Sequence, residues 1–401
     1  MSSVAGDNLD IVIAGAGHSG IKVAAALRKN GWAGAITLFG EESVLPYDRP
    51  PLSKAVLLGK KRADDCTFFA REWYDDQKVT VRLGETVSAI DRQSRRVLTD
   101  KGLYVSFDRL VLAMGSAPNE LKVRGAELEG VLPLREPHHA EKIASKLHPG
   151  KPIVIIGAGV IGLEVAAAAI ERGCDVTVIE TASRAMARSL PEVVSGMLVD
   201  SHRKRGVTFR FDTGVVAIEG NGGVEGVTTS DGQSIPAGIV VYGVGATPRT
   251  ALAADAGLSV ENGIIVDAML RTDDPFIYAC GDVCRYTSQL FGTSVRLENW
   301  RNAEEQASVV ANNLTGQNAV YDPIPWFWTN QYDLALQVAG IPAMGANHVV
   351  QKVGETHLTL SAAAEGRLVG VSALGSIRDV AALIRTYRAH IGKPISDLEI
   401  Q

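Results

Sequence analysis

Asp10-Ile11-Val12-Ile13-Ala14-Gly15-Ala16-Gly17-His18-Ser19-Gly20 is the stretch on which the rest of the chain is organised. A short apolar, β-branched run meets a Gly-x-Gly-x-x-Gly turn, and an Ala-rich helical pattern continues through Leu27. Gly15 permits the tight turn, Gly17 lets the backbone approach a pyrophosphate, and Gly20 lets helix pack closely on strand. Phosphate oxygens then sit on free N–H groups at a helix N-terminus, where the dipole also favours negative charge. A second strand, Ala35-Ile36-Thr37-Leu38-Phe39, leads to Glu41. That acid lies about twenty residues beyond Gly20, where a ribose hydroxyl needs an acceptor.

The device recurs. Pro152-Ile153-Val154-Ile155-Ile156 enters Gly157-Ala158-Gly159-Val160-Ile161-Gly162, then an Ala-rich helix, then Asp175-Val176-Thr177-Val178-Ile179-Glu180. Two such sites imply two dinucleotides brought together, the arrangement of a flavoprotein reduced by a nicotinamide cofactor. The competing reading is two glycine turns without ligands.

The composition is consistent with this and excludes other classes. With 401 residues the chain holds two or three domains, and 41 glycines with 46% hydrophobic residues suit α/β architecture. A net charge of −5 argues against nucleic-acid binding. Four irregularly spaced cysteines make no disulfide framework and point to a reducing cytoplasm. Met1–Asp7 lacks the charged and apolar regions of a signal peptide, and no run approaches the roughly 18 apolar residues of a membrane span.

After Glu41, Leu45-Pro46-Tyr47-Asp48-Arg49-Pro50-Pro51-Leu52-Ser53-Lys54 reads as a Pro-stiffened entry to a helix. Arg49 and Lys54 are either two solvated cations, or Arg49 balances a diphosphate while Lys54 reaches a reactive ring. Residues 79–110 read as short strands, and Phe107 to Gly115 as a buried strand ending at a glycine that returns the chain to the first cofactor. Leu134-Arg135-Glu136 opens a polar helix over 136–148. His138 and His139 lack Cys or carboxylate partners at ligand spacing and read as solvated rather than metal-binding.

Glu164, just inside the second Ala-rich helix, is either a surface position or an acid aimed at a cofactor cleft. Residues 207–242 alternate, with turns at Gly220-Asn221-Gly222-Gly223 and Asp231-Gly232, and close at Val244-Gly245. Asp274 to Val283 reads as a strand that delivers Asp282 at its C-terminal end, where α/β ligands bind. Cys280 and Cys284 lack thioredoxin-like spacing and read as packing residues. From Pro325-Trp326-Phe327-Trp328 onward the pattern is strand-like. On a strand Trp326 and Trp328 face one way and Phe327 the other, so at least one side meets a second domain or a ligand. A terminal helix near 376–391 carries Arg378, Arg385 and Arg388 broadly on one face, either solvated or docking a partner.

Together these residues resemble the FAD-dependent ferredoxin reductases of bacterial oxygenase systems, a family that includes the rubredoxin reductases. The resemblance covers essentially the whole chain. Its most specific motifs are Arg49-Pro50-Pro51-Leu52-Ser53-Lys54, Gly157–Glu180, Gly281-Asp282-Val283, Arg296-Leu297-Glu298-Asn299-Trp300 and Pro325–Gln331. It implies a glutathione-reductase-like α/β fold: a split FAD domain (1–114 and 247–324), a Rossmann-like NAD domain (115–246), and a small α+β C-terminal interface domain (325–401).

Carried over by position, the resemblance implies FAD contacts at Gly15, Gly17, Ser19, Gly20, Glu41, Arg49, Lys54, Val87, Gly115, Arg135, Asp282 and Trp300. It implies NAD contacts at Gly157, Gly159, Val160, Ile161, Gly162, Glu164, Glu180 and Gly245. Lys54 and Glu164 are the implied catalytic pair, joined across the domain boundary beside the flavin with their charged atoms within about 4 Å. Electrons would leave singly to a 2Fe–2S ferredoxin or rubredoxin, from a monomer or weak dimer with no nucleic-acid or membrane partner. The chain departs from the family at Glu399-Ile400-Gln401, where a C-terminal extension usually follows.

A disulfide reductase would need a redox-active cysteine in residues 41–54, and that segment has none; the first cysteine is Cys66. A thiol-independent NADH oxidase and a signalling flavoprotein resembling apoptosis-inducing factor are the other readings.

Overall fold

The computed structural model describes residues 9–398, so Met1–Asp7 and Glu399-Ile400-Gln401 lie outside the described residues. The chain forms two compact units. One contains the residues up to Asp48 with Thr67–Ala117 and Ala246–Pro325; the other contains Arg49–Cys66, Pro118–Gly245 and the residues from Trp326 onward.

The first unit is built on a five-stranded parallel sheet ordered Ile277–Ala279, Arg109–Leu112, Ile11–Ala14, Ile36–Gly40, Val79–Leu83. Parallel strands covered on both faces need near-continuous apolar runs. Ile11–Ala14 is accordingly buried throughout, as are Leu110, Val111 and Leu112. The helix His18–Lys29 packs on Trp300–Leu314. Val87–Asp91, Arg96–Thr99 and Tyr104–Ser106 form a small antiparallel sheet.

The second unit repeats the plan with a parallel sheet ordered Thr208–Arg210, Asp175–Ile179, Pro152–Ile156, Ile239–Tyr242, Val131–Pro133. Its helix Val160–Glu171 is buried from Gly162 to Ala169, which explains why the sequence there is Ala- and Val-rich on every face. The turn signals at Gly222 and Gly232 join Val215–Asn221, Gly223–Thr229 and Ser234–Pro236 as an antiparallel sheet.

The same unit carries a five-stranded antiparallel sheet ordered Trp326–Gln331, Leu334–Gly340, Leu368–Gly375, Thr356–Ala362, Asn347–Val353. The helix Ile377–Arg388 lies against its Leu334–Gly340 and Leu368–Gly375 strands. Residues 50–53 form a single 3-10 turn rather than the start of a longer helix. Pro50 and Pro51 offer no N–H, and Leu52 N–H bonds three residues back to Arg49 O. This turn rests on Val160–Glu171.

Candidate functional site

The two glycine loops are built alike. Gly15 (φ 111°) and Gly157 (φ 105°) adopt the left-handed region, and each donates its N–H to the end of the next strand, at Phe39 O and Ile179 O. A Cβ on Gly15 would run into the Ala113 carbonyl, and one on Gly157 into that of Gly243. A Cβ on Gly20 or Gly162 would strike the carbonyl of Gly15 or Gly157. Gly17 and Gly159 differ: both are extended, at φ −75° and −77°, and a Cβ there would meet nothing within 4 Å. Neither following helix has a side chain capping its first turn. Each loop therefore presents open, uncapped amides where a diphosphate fits.

In the first unit, Ser19 is buried and sits so close to Gly281 that a Cβ on that glycine would meet its hydroxyl. Asp282 follows in the turn Gly281–Val283, its carboxylate accepting from Ser116 Oγ at 3.2 Å. Gly115 holds φ 65° after the strand Arg109–Leu112, which neighbours the central one. Trp300 opens its helix and donates Nε1–H to Asp48 at 2.8 Å. Glu41 lies just past the strand Ile36–Gly40 and pairs with Arg249 at 2.8 Å. Val87 begins the antiparallel sheet.

In the second unit, Arg49 donates to Arg135 O at 2.6 Å. Gly245 (φ 96°) accepts from Asn119 N–H at 3.0 Å. Val160 and Ile161 head the helix, and Ile161 is 44% exposed although apolar. Glu180 accepts from the N–H groups of Ala158 and Ala182, both at 2.8 Å. The carboxylate at the end of the second strand is thus tied to the glycine loop itself.

Lys54 Nζ lies 2.9 Å from Glu164 Oε1, inside the limit expected from the sequence. Both residues fall in one compact unit, where the Pro50–Ser53 turn packs on the helix that carries Glu164. Glu164 is only 5% exposed, which removes the surface alternative. Thr329 Oγ1 donates to Oε1 at 2.6 Å, and Ser53 Oγ donates to Oε2. Three donors on two oxygens suit an ionised carboxylate, whose burial without partners would be costly. Neither hydroxyl was singled out by sequence reasoning. The available signal was a Thr alternating with aromatics in a strand whose inner face had to meet something.

His138 stays exposed beside Glu136 at 3.4 Å, as expected. His139 differs: its Nδ1 accepts from Glu136 N–H and closes a capping box, so it is a helix-start residue and not a solvated one. Burial pushes the Cys284 thiol up to about 12 and raises that of Cys280 well above its ordinary value. Both sulfurs are packing groups, as the spacing predicted.

The family description "Pyridine nucleotide-disulphide oxidoreductase" matches residues 9–307, and "Reductase C-terminal" matches 326–395. Rhodocoxin reductase of Rhodococcus erythropolis is 42% identical over 92% of this chain and 87% of its own. The ferredoxin–NAD(+) reductase component of the anthranilate 1,2-dioxygenase system of Burkholderia cepacia is 39% identical over 94% of each chain. The reductase in the covalent putidaredoxin reductase–putidaredoxin complex superposes with a TM-score of 0.91 at 34% identity, covering 96% of this chain and 94% of that one. Among the described residues no helix is long and apolar enough to cross a membrane. The chain belongs to the pyridine nucleotide-disulphide oxidoreductase family, as an oxidoreductase that uses FAD and NAD(H) and has the reductases of bacterial oxygenase systems as relatives.

Proposed function

We propose that this protein takes a hydride from NADH and passes single electrons to a 2Fe–2S ferredoxin or rubredoxin-type carrier of an oxygenase system. The observation that carries the reading is the duplicated loop: two open, uncapped diphosphate cradles in one chain. FAD, when bound, supplies hydride acceptance and one-electron release. The residues that would hold it are Gly15, Gly17, Ser19, Gly20, Glu41, Arg49, Val87, Gly115, Arg135, Asp282 and Trp300. Gly157, Gly159, Val160, Ile161, Gly162, Glu180 and Gly245 would hold NADH.

Lys54 and Glu164 are assigned to the hydride step. The ammonium favours negative charge developing on its ring partner, and the carboxylate holds it in place. Their pairing at 2.9 Å fixes the lysine's direction and leaves its charge balanced. The absence of a cysteine in residues 41–54 sets the chain apart from dithiol reductases. We assign FAD binding to residues 1–114 and 247–324, NAD binding to 115–246 and the interface role to 325–401. The protein is taken to act in the cytoplasm as a monomer or weak dimer.

The test is cytochrome c reduction by NADH with and without an added 2Fe–2S ferredoxin. Dependence on ferredoxin supports the reading; equal rates without it replace the reading with a thiol-independent oxidase.

A further inference from the structure

His202 is fully buried, on the helix Glu192–Arg203, at a position the reaction as described does not use. Its Nε2 lies 2.6 Å from Gln331 Oε1, and its Nδ1 lies 3.0 Å from Tyr332 Oη. Gln331 Nε2 donates in turn to Thr329 Oγ1 at 3.2 Å, and Thr329 donates to Glu164 at 2.6 Å. An amide oxygen only accepts, so His202 must carry its proton on Nε2 and present a bare Nδ1 to the tyrosine O–H. Burial lowers the His202 pKa, with the Gln331 hydrogen bond opposing it and nearby Arg205 pushing the same way as burial. Every donor in the series, from Tyr332 to Thr329, then points toward the Glu164 carboxylate.

A second observation is independent of these bonds. Tyr332 follows Gln331 in the two-residue hairpin to Leu334 with φ 57°, a conformation that glycine and asparagine adopt far more readily. A bulky residue kept at a strained backbone position points to a functional constraint. The ring is held there by the Arg205 guanidinium 4.5 Å from its centre and by the imidazole of His202.

We propose that Tyr332, His202, Gln331 and Thr329 are positioning residues, a one-directional hydrogen-bond string that orients the Glu164 carboxylate and, through it, Lys54. The inference rests on the assignment of Lys54 and Glu164 to the hydride step. A carboxylate with a single rotamer accepts three hydroxyl and ammonium donors at once, and the string decides which rotamer that is. Polarisation along aligned hydrogen bonds strengthens each of them.

The test combines rates with a spectroscopic signature. In the FAD-loaded protein, Thr329→Val is expected to slow stopped-flow flavin reduction by about tenfold, the loss of one hydrogen bond to a charged group, and Gln331→Leu, which breaks two bonds between neutral groups, by about threefold or more, both with little change in NADH half-saturation. Thr329→Ser is expected to restore the rate. Nitrogen-15 spectra of the labelled histidines are expected to show His202 as a neutral Nε2–H tautomer at pH 6 to 8. Tyr332→Phe, which keeps the ring, is expected to shift its Nδ1 resonance. FAD absorbance confirms that each variant is loaded.

Lys54→Met, measured alongside, separates the two levels. If it slows reduction while Gln331→Leu and Thr329→Val do not, the string is overturned and the pair stands. If Lys54→Met itself has no effect, the pair's assignment falls and the positioning role falls with it. An Nδ1–H tautomer at His202 reverses the direction of the string and overturns it whatever the rates.

Discussion

Glu180 reaches back from the end of its strand to accept the N–H of Ala158 at 2.8 Å, so the second glycine loop and the acid that follows it form one fixed object. A carboxylate held there accepts a ribose 2′-hydroxyl but repels a 2′-phosphate. At about 4 Å and an effective dielectric near 20, that repulsion is about 4 kcal/mol before screening. The Arg184 guanidinium is held by Leu190 O and Ala187 O at 2.7 and 2.9 Å, which fixes where its charge sits. Steady-state kinetics are expected to favour NADH over NADPH by more than about tenfold in kcat/KM. Comparable efficiencies would refute the assignment.

Lys54→Met is expected to slow flavin reduction by about tenfold or more, equivalent to roughly 1.4 kcal/mol. The variant leaves the buried Glu164 carboxylate with Ser53 and Thr329 but without its cation. Stopped-flow reduction by NADH reads the effect directly, and an unchanged rate removes the lysine from the reaction.

Gly17 and Gly15 should respond differently to the same substitution. Gly15→Ala forces a methyl into the Ala113 carbonyl at a positive φ, and is expected to lower thermal stability with or without FAD. Gly17→Ala meets open space at an ordinary φ, and is expected to leave the apoprotein's Tm unchanged while weakening FAD binding measured by fluorescence. Equal losses in apoprotein stability would show that Gly17 has a packing role.

The partner's surface is expected to be acidic where it meets the helix Ile377–Arg388. The Arg378 side chain is 96% exposed and lies 3.8 Å from Asp379, and Arg385 is also exposed, while Arg301 pairs more closely with Glu305 at 2.6 Å. Reversing Arg378 and Arg385 to Glu should raise KM for the carrier and leave ferricyanide reduction unchanged. The effect should shrink in added salt, since exposed charges are screened over about 10 Å at 0.1 M. A KM insensitive to both changes would exclude this surface.

His202 also gives stability a pH dependence of known sign. Burial holds its pKa below the unfolded value of about 6.5, so the unfolded chain binds the proton more readily. Stability is therefore unaffected above that value and falls as pH drops through it. Urea midpoints between pH 8 and 5.5 should decline more steeply for the native protein than for His202→Asn. Parallel curves would mean the ring takes up its proton in the fold as readily as in the unfolded chain.

Both glycine loops were legible because their pattern is local, Gly20 and Gly162 answering to Gly15 and Gly157 five residues back, although the carbonyls that hem in Gly15 and Gly157 lie far along the chain at Ala113 and Gly243. The Lys54–Glu164 pairing was legible only through family resemblance, since nothing near either residue names the other. Ser53 and Thr329 were not legible as its partners. They lie 111 and 165 positions from Glu164, and no pattern of spacing encodes a meeting of three such segments. The expected helix after Arg49 stops after one turn: Pro50 and Pro51 suit its first positions, where no donor is needed, but Lys54 leaves the helical region at φ −126° and ψ −94°.

The hydroxyl of Thr329 has a consequence for anyone recombining this protein with its relatives. The C-terminal sheet is easily taken for an interchangeable cassette, because it begins cleanly at Trp326 and matches a family description of its own. Yet one of its side chains completes the coordination of a carboxylate that belongs to the nucleotide-binding helix. A graft at residue 325 therefore transplants one of the Glu164 carboxylate's hydrogen-bond donors along with the sheet. A chimera keeps its register only if residues 53–54, 164, 202 and 326–332 come from the same parent.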